Sequence, residues 1–140
     1  MPDRMEIIDL YARYNHAADT GDVDGYVDLF TADGEFSSPV RTAKGTAEIH
    51  AFIALRSAAL TAAPVRDEQH WNCNLVLDPV GEEVAGSIYM VGIGRDADTG
   101  SVRFNFFGRY FDRIVRGTDG RWRFSSRRFD EHMTEQRILR

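Results

Sequence analysis

Three features of the 140-residue chain predict an α+β domain with helices laid across one face of a bent antiparallel sheet. The first sixty residues repeat apolar side chains at intervals of three and four, the spacing of one helix face. Beyond Pro64 the pattern changes to strand-like runs broken by turn signals at DPVGE, RDADTG and RGTDG, which reads as four long strands. At 43% hydrophobic the chain suits one domain, 1–140, with a core of its own, and helices followed by strands segregate into layers.

From Met5 to Asp19, the residues Ile7, Leu10, Tyr11, Tyr14, Ala17 and Ala18 make the buried stripe of a first helix, and Gly21 is its stop signal. Asp22 suits an N-cap for a second, shorter helix carrying Val23, Tyr26, Val27 and Phe30 ahead of the turn pair Asp33-Gly34. GEFSSPVRTAKG reads as a short strand or hairpin. Thr46 suits the cap of a third helix, with Glu48 in its positive first turn, Ile49, Phe52, Ile53 and Leu60 as its stripe and Pro64 closing it. The strands run over roughly 67–78, 82–95, 102–116 and 121–129, and their short connections make them antiparallel neighbours. Glycines at 86, 92, 94 and 108 allow strong bending. A bent sheet with helices on its concave side encloses a cone that need not be filled.

Composition excludes several function classes. No apolar run approaches the ~18 residues of a membrane span, and MPDRMEIIDL lacks a signal peptide's layout, so a cytoplasmic protein is expected. The formal net charge of -5 argues against nucleic acid as a partner, the local basic-aromatic run RWRFSSRRF notwithstanding. Cys73 is the only cysteine, and His16, His50, His70 and His132 show no metal-ligand spacing. GIGRDAD lacks the helix that a dinucleotide fingerprint opens. We expect no metal and no cofactor.

In DEQHWNCNLVLD, a strand sends His70, Asn72 and Asn74 to one face and Trp71, Cys73 and Leu75 to the other. The polar face is either the wet side of a half-buried strand or the wall of a cavity. Asp19 ends the first helix, where exposed carbonyls make an acid locally unfavourable. It is either an ordinary loop residue of ADTGD or the partner of a base. A carboxylate on one imidazole nitrogen fixes the tautomer and makes the other nitrogen the better base, and His70 is the candidate.

The combination of YARYNHAADTGDVDGYVDLF, KGTAEIHAFI, QHWNCN and GRYFDRIVRGTDGRWRFSSR resembles the SnoaL-like branch of the NTF2-like superfamily. Within it, the pattern is most similar to the dehydratase-type members: scytalone dehydratase, bile acid 7α-dehydratase and hexachlorocyclohexane dehydrochlorinase. The resemblance implies a conical α+β barrel with a deep pocket and an Asp-His dyad, which falls on Asp19 and His70. It adds Tyr14, five residues before the aspartate, as a third catalytic residue, Asn74 as a pocket amide and Arg127 as a basic pocket residue. The chain departs from scytalone dehydratase near Gly94, where that enzyme has a second histidine, and at Ala18, where it has a tyrosine. Scytalone itself is therefore a poor substrate candidate.

The reading that follows is a cofactor-independent lyase acting on a mostly apolar cyclic or polyketide-like small molecule, with Asn72 beside the base. Phe104, Phe106, Gly108 and Tyr110 share the face that the family pattern directs inward. An isomerase or cyclase using the same dyad, a ligand-binding module and the small subunit of a ring-hydroxylating dioxygenase remain open. Trp71, Leu75, Tyr89 and Phe107, expected on outer faces, imply a homo-oligomer: a trimer as in the dehydratase-type relatives, or a dimer. The tail Asp130 to Arg140 is expected near the pocket mouth or a neighbouring subunit.

Overall fold

The computed structural model describes residues 4–60 and 64–131; the expectation for the tail falls largely on 132–140, outside the described residues. Helix α1 (Arg4–Thr20) buries Ile7, Leu10, Tyr11, Tyr14, Ala17 and Ala18 and stops at Gly21, whose φ of +72° favours glycine. The Asp22 side chain then accepts the Gly25 N–H at 3.0 Å, capping α2 (Val23–Val27).

The second helix is shorter than its apolar spacing suggests. Phe30 belongs instead to β1 (Phe30–Ser38), because the Phe124 N–H bonds to the Leu29 carbonyl at 2.9 Å and strand pairing captures the chain. Asp33-Gly34, expected as a turn, lies within β1 where the register shifts between Phe30 and Glu35. The hairpin partner is β2 (Arg41–Lys44). Helix α3 (Gly45–Ala59) starts one residue before the expected cap: Thr46 Oγ1 reaches back to the Ala32 carbonyl at 3.5 Å, and Glu48 accepts the Lys44 N–H at 2.8 Å.

The long strands are β3 (Val65–Val80), β4 (Glu83–Asp96), β5 (Val102–Arg116) and β6 (Trp122–Asp130). They form one curved, unclosed sheet of order β2-β1-β6-β5-β4-β3. It is not wholly antiparallel as expected: β1 runs parallel to β6, which only a long connection allows. The helices cover the concave face, and the core closes between Ile7, Leu10, Ile49 and Ile53 on helices and Val84, Ile88, Ile114 and Phe124 on strands. Each such side chain contributes about 1.5–3 kcal/mol by leaving water.

Four register shifts reverse which residues face inward, the first on β3 between Arg66 and Gln69, where Asp67 has a φ of +51°. On β3 the shift between Cys73 and Val76 centres on Asn74, whose φ of +59° is left-handed. On β5, Asn105 is the extra residue between Phe104 and Phe106, and on β6, Ser125 is extra between Phe124 and Ser126.

Candidate active site

Strand β3 is a sheet edge, so part of its backbone is open to partners from outside the sheet. One such group, the His70 N–H, is taken by Asp19 Oδ2 at 3.1 Å from the last turn of α1. Asp19 Oδ1 meets His70 Nδ1 at 2.5 Å. A carboxylate holding both the backbone and the ring of one residue fixes the imidazole plane. It also fixes the neutral tautomer, with the proton on Nδ1 and the lone pair on Nε2. The ring is buried, packed edge-on to Phe106 at 5.4 Å between centroids. Gly92, paired opposite His70, makes room for the Phe106 ring that the imidazole packs on, since a Cβ there would lie 2.5 Å from it.

Nε2 is met by Arg56 Nη2 at 3.4 Å, a long contact, and the same nitrogen donates to Glu68 Oε1 at 2.8 Å. Asn105 Nδ2 holds the other Glu68 oxygen at 2.5 Å. The guanidinium is thus pinned by Glu68 and turned toward the imidazole's open nitrogen.

The cavity beyond is a cone of about 260 Å³ whose walls include His70, Arg56, Tyr14, Tyr26, Met90, Phe106, Tyr110 and Phe129. Phe36 and Phe52 close one side as a stacked pair, 4.9 Å between centroids. The Tyr14 and Tyr26 hydroxyls share a hydrogen bond of 2.8 Å. Burial pushes the Tyr14 hydroxyl well above the ordinary phenol value, with Tyr26 adding to the rise, and burial raises Tyr110 likewise. These phenols stay neutral and can donate hydrogen bonds to a bound molecule.

Behind Tyr14 and Tyr110 lies Arg127, fully buried, its Cζ 3.6 Å from the Tyr110 ring centroid and 4.1 Å from that of Tyr14. Its Nε is 3.7 Å from Asp112 Oδ1, and no guanidinium nitrogen has a hydrogen-bond partner. Burial works against the charged guanidinium, but Asp112 and then the surrounding tyrosines hold its pKa above the ordinary value. Asp112 accepts the Tyr11 hydroxyl at 2.6 Å. Burial pushes its carboxyl up to about 6, and Arg127 and Tyr11 pull it back only in part.

Comparison with known proteins adds the family. The SnoaL-like domain family matches residues 1–128. The chain belongs to the SnoaL-like family. No curated protein matches it at a significant level. Among solved structures, an NTF2-like protein with a cystatin-like fold from Novosphingobium aromaticivorans is 27% identical, covering 98% of this chain and 88% of its own, with a TM-score of 0.81. A protein of the same organism provisionally named an aromatic ring hydroxylase is 28% identical, covering 94% and 90%, TM-score 0.75. A third, provisionally named a scytalone dehydratase, is 24% identical, covering 92% and 83%, TM-score 0.75, which shows the fold alone.

In this SnoaL-like chain the expected site residues separate into groups. His70, Tyr14, Phe106 and Tyr110 line the cone, and Asp19 reaches His70 from behind. Asn72 and Asn74 do not line it; they border a second cleft between α1 and β3. Asn74 is exposed because the backbone turns left-handed there, and the same shift brings Leu75, expected outside, against the core. Phe104 is 74% exposed, since the extra residue Asn105 turns it to the convex face. Arg127 does face inward, through the shift at Ser125, but it lies sealed under Tyr14 and Tyr110 and is no pocket residue. Sequence reasoning missed Tyr26, Met90, Phe129 and above all Arg56. The signal for Arg56 was present: it continues the stripe of Ile49, Phe52 and Ile53 at helical spacing, an arginine on an apolar face.

Proposed function

We propose that the protein is a cofactor-independent lyase of the dehydratase type, acting on a small, mostly apolar cyclic ketone or a polyketide-like molecule. The observation that carries this reading is the double grip of Asp19 on His70, which leaves Nε2 facing an aromatic cone. His70 Nε2 takes a proton from the carbon next to the carbonyl, and Asp19 stabilises the resulting imidazolium. The C–H electron pair forms the enolate, whose oxygen receives hydrogen bonds from a neutral phenol, Tyr14 or its partner Tyr26. The enolate then expels a hydroxyl from the β-carbon, which takes the proton from His70 and leaves as water. The product is a conjugated ketone and the dyad returns to its starting state. Isomerisation and aldol cyclisation share the first step. Assembly as a trimer or dimer belongs to the same reading, supported by exposed Trp71, Phe104 and Phe107.

The test isolates proton abstraction. Deuterium exchange into the carbon next to the carbonyl of bicyclic ketones such as 2-tetralone is followed by NMR. The protein should accelerate it over buffer, and His70→Ala, shown folded by circular dichroism, should lose roughly a hundredfold or more of that acceleration. Equal exchange by parent and variant would leave the second reading, a non-catalytic subunit of a ring-hydroxylating oxygenase, which the name of one similar structure favours.

A further inference from the structure

An unbroken ladder running on from buried Val65 would turn Asp67 and Gln69 inward; the shift at Asp67 turns Glu68 and His70 inward instead. Glu68 then meets α3. Its Oε1 accepts from Arg56 Nη2 at 2.8 Å, and Asn105 holds the other oxygen. A salt bridge that only braced α3 against β3 would end there. The same Nη2 also stands 3.4 Å from His70 Nε2, too far for a firm hydrogen bond, and both residues line the cone. Once the imidazole has taken a proton, Nη2 and Nε2 are both donors, side by side on one wall. What completes such a pair is an acceptor seated against both. An oxygen about 2.9 Å from each nitrogen fits the 3.4 Å between them.

We infer that Arg56 is a catalytic residue for the second half of the reaction, donating a hydrogen bond to the departing hydroxyl oxygen, a role that rests on the lyase reading above. In that reaction the hydroxyl lies within about 3 Å of Nε2, because it collects the proton there. The carbonyl oxygen is met by the phenol pair Tyr14 and Tyr26, so the donor left for the hydroxyl beside Nε2 is the guanidinium. As the C–O bond breaks, its electron pair moves onto the oxygen, the Nε2 proton follows, and water forms. A guanidinium gives up no proton in this step; its N–H stabilises the negative charge gathering on the oxygen before the proton arrives. Glu68 is a positioning residue: it fixes the guanidinium through one N–H of Nη2 and leaves the other for the substrate. Arginine suits the place better than lysine, because its planar fork serves two partners in fixed directions.

The probe is 3-hydroxy-1-tetralone in D2O, whose one carbon next to the carbonyl is C2 and whose dehydration gives 1-naphthol. Naphthol is followed by fluorescence, and deuterium at C2 of the recovered ketone by NMR, so each enolate is counted as expelling hydroxide or returning to ketone. Arg56→Met, shown folded by circular dichroism, should lower the ratio of naphthol formed to deuterium gained by about tenfold to a hundredfold. A brace without a chemical role would move stability and both rates together and leave the ratio where it was, so an unchanged ratio would overturn the inference while the base reading stands. If Arg56→Met unfolds because Glu68 is left without its counter-charge, adding Glu68→Gln removes that charge and the ratio is read in the double variant. A parent that yields neither naphthol nor deuterated ketone faster than buffer would remove the base reading, and the role of Arg56 with it.

Discussion

Replacing Asp19 by asparagine should disable His70 through its tautomer as well as its charge. Asparagine has one acceptor and one donor where the carboxylate has two acceptors. If its oxygen stays on His70 Nδ1–H, its NH2 faces the His70 backbone N–H, two donors where 3.1 Å now separates a donor from an acceptor. If the amide flips, its oxygen keeps the backbone N–H, its NH2 donates to Nδ1, and the ring proton moves to Nε2. The backbone cannot change its donor character and the imidazole can, so the flipped arrangement prevails by the cost of one unsatisfied buried N–H, about 1–3 kcal/mol. That leaves about 1–15% of the histidine with a lone pair facing the cone. Losing a charged partner for the imidazolium costs a further factor of about ten. The proton-exchange rate should therefore fall by roughly 10²–10³. Asp19→Ala leaves the tautomer free, so it should be at least as active as Asp19→Asn, yet less stable because the His70 N–H has lost its acceptor. Exchange rates, urea denaturation and imidazole 15N shifts together check this inverted ranking. An asparagine variant that keeps its proton on Nδ1, or exchanges within threefold of the parent, would refute the reasoning.

Three further outcomes are expected. Arg127→Met should destabilise the fold by about 3–5 kcal/mol by leaving Asp112 buried without its counter-charge, and adding Asp112→Leu should recover most of the loss in urea denaturation; a double variant as weak as the single would contradict the pairing. The Asp112 carboxyl is raised to about 6 in the fold from an ordinary 3.8, so the folded state binds the extra proton between those values. Its contribution to stability is full below about pH 4 and is lost as pH rises through 6, a span of about 3 kcal/mol. Relative to Asp112→Asn, the parent should gain stability between pH 7 and pH 4.5, and parallel curves would remove this assignment. Finally, sedimentation should show the parent as an oligomer and a Phe104→Ser, Phe107→Ser variant as a monomer; a monomeric parent at micromolar concentration would sink the assembly proposal.

Helix and strand extents were legible because they rest on local periodicity: α1 and the four long strands lie within about two residues of the spacing-based bounds. Asp19 and His70 were legible as a pair through the order of motifs, and the tertiary structure brings them to 2.5 Å. The inner and outer faces were less legible. Alternation predicts a face only while the ladder is unbroken, and single extra residues at Asn74, Asn105 and Ser125 each reverse it. Phe104 therefore left the pocket, Leu75 joined the core and Arg127 went beneath the tyrosines. The end of α2 was likewise decided by β6, nearly a hundred residues away, whose pairing with Phe30 outweighs a weak helical preference. Arg56 became a site residue because α3 lies against the end of α1 and the start of β3, a meeting that local sequence does not encode. What the chain determined alone was the kind of each element and the chemistry it carries. Which side chains share one cavity depended on nonlocal pairing, where one shifted hydrogen bond moves a whole face.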